Sequence, residues 1–188
     1  QDSYAMKNLF KLITTANMAD PDGFTGVRAN MSGGSLSSGL GSTNISGIEN
    51  IKGTIFVDQI TGDGTDNSLD GYDGNDLISG GAGKDYLIGG DGDDTLLPNG
   101  NNGIVELDFI DGGSGTDFVS FNFGGNSAVT LDLANSGIQN TGKGRVQIVY
   151  IEDVEGGAGN DSLYGNSSDN TLSGLAGDDI LVGRAGNN

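Results

Sequence analysis

The chain has 188 residues, 26 acidic against 8 basic, and a formal charge of −18. That surplus repels nucleic acid and anionic membranes and favours cations. With no Cys, His or Trp, disulfides, zinc fingers and every His-dependent mechanism are excluded, while 34% hydrophobic residues and 36 Gly would by themselves suggest disorder.

Residues 1–52 read as an N-terminal segment followed by a β linker unit. The stretch MKNLFKLITTANMA (6–19) has the outline of a signal peptide, but Lys11 interrupts its apolar run. A short amphipathic helix with Met6, Leu9, Phe10 and Ile13 on one face is expected instead. No run approaches the ~18–20 apolar residues of a membrane span. Residues 24–52 are expected to form a wide, mainly β coil, with GVRANM (26–31) and GIENIKG (47–53) as its strands.

From Gly53 the chain falls into nine-residue windows: GTIFVDQIT, GDGTDNSLD, GYDGNDLIS, GGAGKDYLI and GGDGDDTLL. After a five-residue interruption come GIVELDFID and GGSGTDFVS, which completes a first array over 53–120. Residues 121–155 form a second linker unit, in which AVTLDL (128–133) and YIEDVEGG (150–157) echo the first. Val129 follows Val27 by 102 residues, and Ile151 follows Ile48 by 103. A second, truncated array over 156–188 reads GGAGNDSLY, GNSSDNTLS, GLAGDDILV and GRAGNN. Every window begins with a glycine, and an aliphatic residue stands eighth in each complete one: Ile60, Leu69, Ile78, Leu87, Leu96, Ile110, Val119, Leu163, Leu172 and Leu181. A disordered polar tract does not keep such a register.

Glycines at positions 1, 2 and 4 permit positive φ and a tight turn with inward carbonyls. The last three residues suffice for one short strand that points a single side chain into a core. Two nonamers then make one coil of an all-β parallel roll, each turn stacked on the one two repeats earlier. Stacked carbonyls and carboxylates suit Ca²⁺, which takes about six to eight oxygens at ~2.3–2.6 Å, better than Mg²⁺ with its strict octahedron.

The GGxGxDxUx pattern, U being apolar, resembles the RTX (repeats-in-toxin, haemolysin-type) calcium-binding nonapeptide family. The resemblance covers 53–120 and 156–188. It implies a calcium-stacked parallel β-roll with wider β linker coils, and it implies which residues hold the ions. One site is Tyr72, Gly74 and Asp76 with Gly89, Asp91 and Asp94. The next on that side is Gly90, Gly92 and Asp94 with Gly112, Ser114 and Asp117. A third is Gly157, Gly159 and Asp161 with Gly174, Ala176 and Asp179. Weaker candidates pair Asp58 with Asp76, and the 62–70 turn with Gly80, Ala82 and Asp85. Asn67 and Asn170 replace the sixth-position aspartate, with Asp66 and Asp169 beside them, so those sites lose a charge or use the neighbour. Phe56 and Glu106 replace the fourth-position glycine in the 53–58 and 103–108 turns, which weighs against an ion there. About four to six ions are expected.

Enzyme signals are weak. GIQNTGKG (137–144) mimics a phosphate-binding loop but lacks its final Ser/Thr, and reads as a polar turn. The carboxylate pairs Asp93/Asp94 and Asp178/Asp179 fall on turn positions where metal ligation explains them first. Ice binding would need a flat outward ladder of Thr or Asn, whereas the outward positions hold Leu77, Leu97 and Phe118 on one side and Tyr86, Ile88 and Phe109 on the other. These suggest contact with other copies of the chain or with neighbouring domains. Gln1 begins without a cap and Asn188 stands sixth in an unfinished nonamer, so a fragment of a longer protein is expected. The reading is a non-catalytic, calcium-binding structural module of a secreted or cell-surface bacterial protein such as an adhesin, surface layer or extracellular fibre. The alternative is the carrier region of a secreted enzyme or toxin.

Overall fold

The computed structural model describes residues 26–38, 41–44, 47–99 and 106–188, and every regular element among them is a strand. The helix expected over 6–19 lies outside the described residues. Among the described residues no helix is long and apolar enough to cross a membrane.

The first linker unit supplies β1 (Val27–Asn30), β2 (Ser35–Ser38) and β3 (Gly41–Asn44), an antiparallel meander, and then β4 (Asn50–Lys52). The first array supplies β5 (Gln59–Thr61), β6 (Ser68–Asp73), β7 (Leu77–Ser79), β8 (Tyr86–Asp91), β9 (Thr95–Leu97), β10 (Leu107–Ser114) and β11 (Phe118–Ser120). Successive strands belong alternately to two sheets, because each six-residue turn carries the chain across to the opposite face. Strands β5, β7, β9 and β11 pair in parallel with Ile60, Ile78, Leu96 and Val119 in one register; β4, β6, β8 and β10 do the same with Ile51, Leu69, Leu87 and Ile110. Side chains on a strand alternate in direction, so the middle residue of a three-residue strand alone faces inward. All seven eighth-position aliphatics of the first array are at most 1% exposed. The interruption after Leu97 leaves this stacking in phase, since β9 pairs with β11 and β8 with β10.

The second linker unit forms β12 (Thr130–Asp132), β13 (Ile138–Asn140), β14 (Arg145–Val149) and β15 (Asp153–Gly157), and the second array β16 (Ser162–Tyr164), β17 (Leu172–Leu175) and β18 (Ile180–Val182). Strand β14 extends the six-stranded sheet beside β10, and β15 and β17 extend the nine-stranded one beyond β11. A third sheet, β12-β16-β18, takes over where β13 closes the second. The sequence echo is a structural one: Ala29 pairs with Ile60 as Leu131 does with Leu163, and Ile51 with Leu69 as Val154 does with Leu172. Each linker unit thus lays the first strand under its own array. The core column thins at the last coil, where Leu172 is half-buried and Leu181 is 46% exposed.

Candidate metal centre

The turns are held by two ladders of side chain to backbone. Asp58, Asp76 and Asp94 donate their N–H to Oδ1 of Asp76, Asp94 and Asp117 at 2.7, 2.7 and 2.9 Å. Asp117 N–H ends that column on Glu152 Oε2 at 3.0 Å. On the opposite edge Asn67 N–H meets Asp85 Oδ1 at 2.9 Å and Asp85 N–H meets Asp108 Oδ1 at 3.0 Å. In the second array Val129 N–H meets Asp161 Oδ1 and Asp161 N–H meets Asp179 Oδ1. The sixth-position carboxylate therefore reaches down two repeats. The fifth position reaches up: Asp66, Asn75, Asp93, Asn160 and Asp169 accept from the N–H of Lys84, Asp93, Thr116, Asp178 and Asn187. Sequence reasoning missed this second ladder, although the recurrence of Asp and Asn at the fifth position was its signal. Asp93, Asp66 and Asp169 thereby each hold a backbone N–H, which gives the fifth-position carboxylate or amide a structural role of its own.

What the ladders leave over defines the centre. Oδ2 of Asp76, Asp85, Asp94 and Asp117 is buried with no hydrogen-bond partner. A buried, unpartnered carboxylate oxygen costs several kcal/mol, about 1–3 or more for the lost bond alone. Each of these atoms lies against the first-position glycine of its own turn. A methyl group on Gly71 or Gly89 would collide with Oδ2 of Asp76 or Asp94, and also with the carbonyl oxygen of Gly89 or Gly112 in the turn two repeats later. Two oxygens of like partial charge thus converge on a space that no side chain fills. First-position glycines therefore serve a purpose other than the positive φ expected of them. Gly71, Gly80, Gly89 and Gly112 have no positive φ, while Gly74, Gly81, Gly83, Gly90, Gly92, Gly113 and Gly115 at positions 2 and 4 do.

The same stacking brings together the two leading sets of sequence-assigned residues. The Tyr72 and Gly74 carbonyls lie against Gly90 and Gly92, and the Gly90 and Gly92 carbonyls against Gly113 and Gly115. The Asp91 and Ser114 carbonyls each accept one N–H, from Gly74 and Gly92 at 2.8 Å, which leaves each a second lone pair. In the third set Gly159 lies under Gly177, and the Gly157 carbonyl accepts from Ala176 N–H at 3.2 Å, two residues after Gly174. Asp161 differs from its counterparts, because its Oδ2 accepts from Gly157 N–H at 2.7 Å. Asp58 likewise closes on Thr54 N–H, Asn67 on Asp63 N–H at 2.8 Å and Asn170 on Asn166 N–H at 2.8 Å. In the pair of the 62–70 and 80–88 turns, Ala82 N–H meets the Asp63 carbonyl at 2.9 Å, so Gly80, Ala82 and Asp85 do stand over it. Of the 103–111 window, Glu106 and Asp108 reach the turn below: Glu106 Oε2 accepts from Gly83 N–H at 2.9 Å, and Asp108 stands over the orphaned Asp85.

Burial pushes the carboxyls of Asp76, Asp85 and Asp117 up to about 7 and that of Asp108 up to about 6, with neighbouring carboxylates adding to the effect. Asp94 is raised for the same first reason, desolvation. Among the described residues no three acidic side chains converge on one point. A cation held here would meet carboxylates from two turns and would draw its other ligands from backbone carbonyls, a set of hard oxygens that fits Ca²⁺. The model of the RTX calcium-binding nonapeptide repeat matches residues 46–78, 61–96, 70–104, 108–128 and 155–188, more than half of the chain. The chain belongs to that family. The RTX repeats bind calcium. No curated protein matches the chain.

Proposed function

We propose that this RTX chain is a calcium-dependent scaffold of a secreted or cell-surface protein, one that folds on meeting extracellular calcium. The four orphaned Oδ2 oxygens of Asp76, Asp85, Asp94 and Asp117 carry this reading. Bound there, the ion would neutralise carboxylates stacked in columns and satisfy oxygens that nothing else in the fold satisfies. In a low-calcium cytosol those columns repel, and a chain with so few core side chains stays open. Leu77 and Tyr86 remain exposed on opposite sheets, and Tyr86 packs against Phe109 at 6.0 Å between ring centres. They offer apolar surface to neighbouring domains or further copies, as an adhesin, layer or fibre requires.

Circular dichroism in excess chelator should show mostly coil, with the β signal returning at Ca²⁺ of ~10⁻⁴–10⁻³ M. A β spectrum unchanged by chelation would overturn the proposal.

A further inference from the structure

Lys143 is buried, 7% exposed, on the loop between β13 and β14. That loop is a tight one: Thr141 N–H and its hydroxyl both meet the Gly144 carbonyl at 2.9 Å, and Gly142 has φ 86°. The turn aims the lysine inward. Its Nζ donates to the carbonyls of Phe121, Phe123 and Gly125 at 2.9, 2.6 and 3.3 Å and lies 5.5 Å from the centre of the Phe123 ring. These are alternate residues of the segment joining β11 to β12, the segment that the 156–161 turn stacks upon. A side chain at Gly157 would strike Nζ from above, at 2.8 Å.

A cation ringed by turn carbonyls between two stacked turns is what the rest of the roll obtains from solution. The carboxylate above is consistent with this. Asp161 has both oxygens bonded to N–H groups, of Val129 and Gly157, where the metal-poised aspartates leave one bare. We propose that the Lys143 ammonium is a tethered cation, seated between the 121–129 and 156–161 turns in place of calcium. The junction between the two arrays then orders without an ion of its own and gives the second array a formed coil to stack on. This rests on the calcium reading above.

The test is a set of calcium titrations of the full chain followed by circular dichroism. The wild type must gain β signal with calcium; if it does not, the calcium reading fails and this one with it, whereas the outcomes that follow bear on Lys143 alone. Lys143→Ala should need several-fold more calcium, and n-propylammonium should lower that requirement while n-propanol does not. Lys143→Met, which keeps the stem and loses the charge, should behave as the alanine variant does. A wild-type midpoint for Lys143→Met, or equal rescue by n-propanol, would show that only the stem matters and overturn the proposal. A measurement free of variants is amine acylation of the calcium-loaded wild type with peptide mapping. Lys143 should be protected while the exposed Lys84 reacts, and equal reactivity would remove the ammonium from its seat.

Discussion

Leu175 and Gly89 show two separate reasons for glycine in one repeat. Leu175 occupies the second position of its nonamer at φ 66°, a left-handed conformation that costs a side-chain-bearing residue about 1–2 kcal/mol. It is 52% exposed, so little burial compensates. Leu175→Gly should stabilise the calcium-loaded roll by about 0.5–1 kcal/mol after the entropy of the freer unfolded chain is set against the relief. A raised urea midpoint at saturating calcium would register it, and a lowered one would mean that Leu175 packs on something. Gly89 has ordinary φ, and the reason for its glycine is the oxygen of Asp94 on one side and of Gly112 on the other. Gly89→Ala is expected to cost calorimetric ion stoichiometry, by filling the space on which both oxygens converge. Loss of stability with every ion retained would contradict that reading.

Between elements, the unit is a turn and the one two repeats away. Asp94 stands in the middle of such a column, with Asp76 below and Asp117 above; Asp179 has only Asp161 beneath it among the described residues. Asp94→Ala should therefore remove about two ions and Asp179→Ala about one, since losing a charged ligand weakens a site of neutral carbonyls by more than the ~1.5–3 kcal/mol of a charged hydrogen bond. Equal losses in calorimetry would break the pairing of every second turn.

Across the molecule, the buried columns make the metal-free fold sensitive to protons. The carboxyls of Asp76, Asp85 and Asp117 hold their protons up to about 7 when folded, against an ordinary 3.8. The folded state binds protons more tightly than the unfolded one in that window. Its stability is fully present below the unfolded value and is lost as pH rises through the folded one. Chelated protein should accordingly show more β signal at about pH 5 than at about pH 8. Calcium binds the ionised form, so in its presence the dependence should run the other way. Circular dichroism across the range with and without chelator distinguishes the two slopes, and a chelated protein more ordered at the higher pH would contradict the burial of these groups.

The periodic features of this protein were readable because a nonamer repeats its physics with its letters. An aliphatic eighth residue and a glycine pair imply a one-residue core contact and a turn each time they recur, and the RTX resemblance adds the expectation of a ligand at the sixth-position aspartate. Parallel coils, their two-repeat stacking and the echo of Val27 in Val129 follow from period and offset alone. Contacts between unlike segments had no such signal. Which oxygen of each aspartate is bonded and which is bare depends on the register of neighbouring turns, so Asp161 and Asp94, alike in sequence, differ in the fold. Glu106 reaches Gly83, and Lys143, in a loop that reads as a polar turn, reaches carbonyls some twenty residues earlier. Such distances are closed by the packing of linker against roll, and only the tertiary structure decides what a side chain meets there.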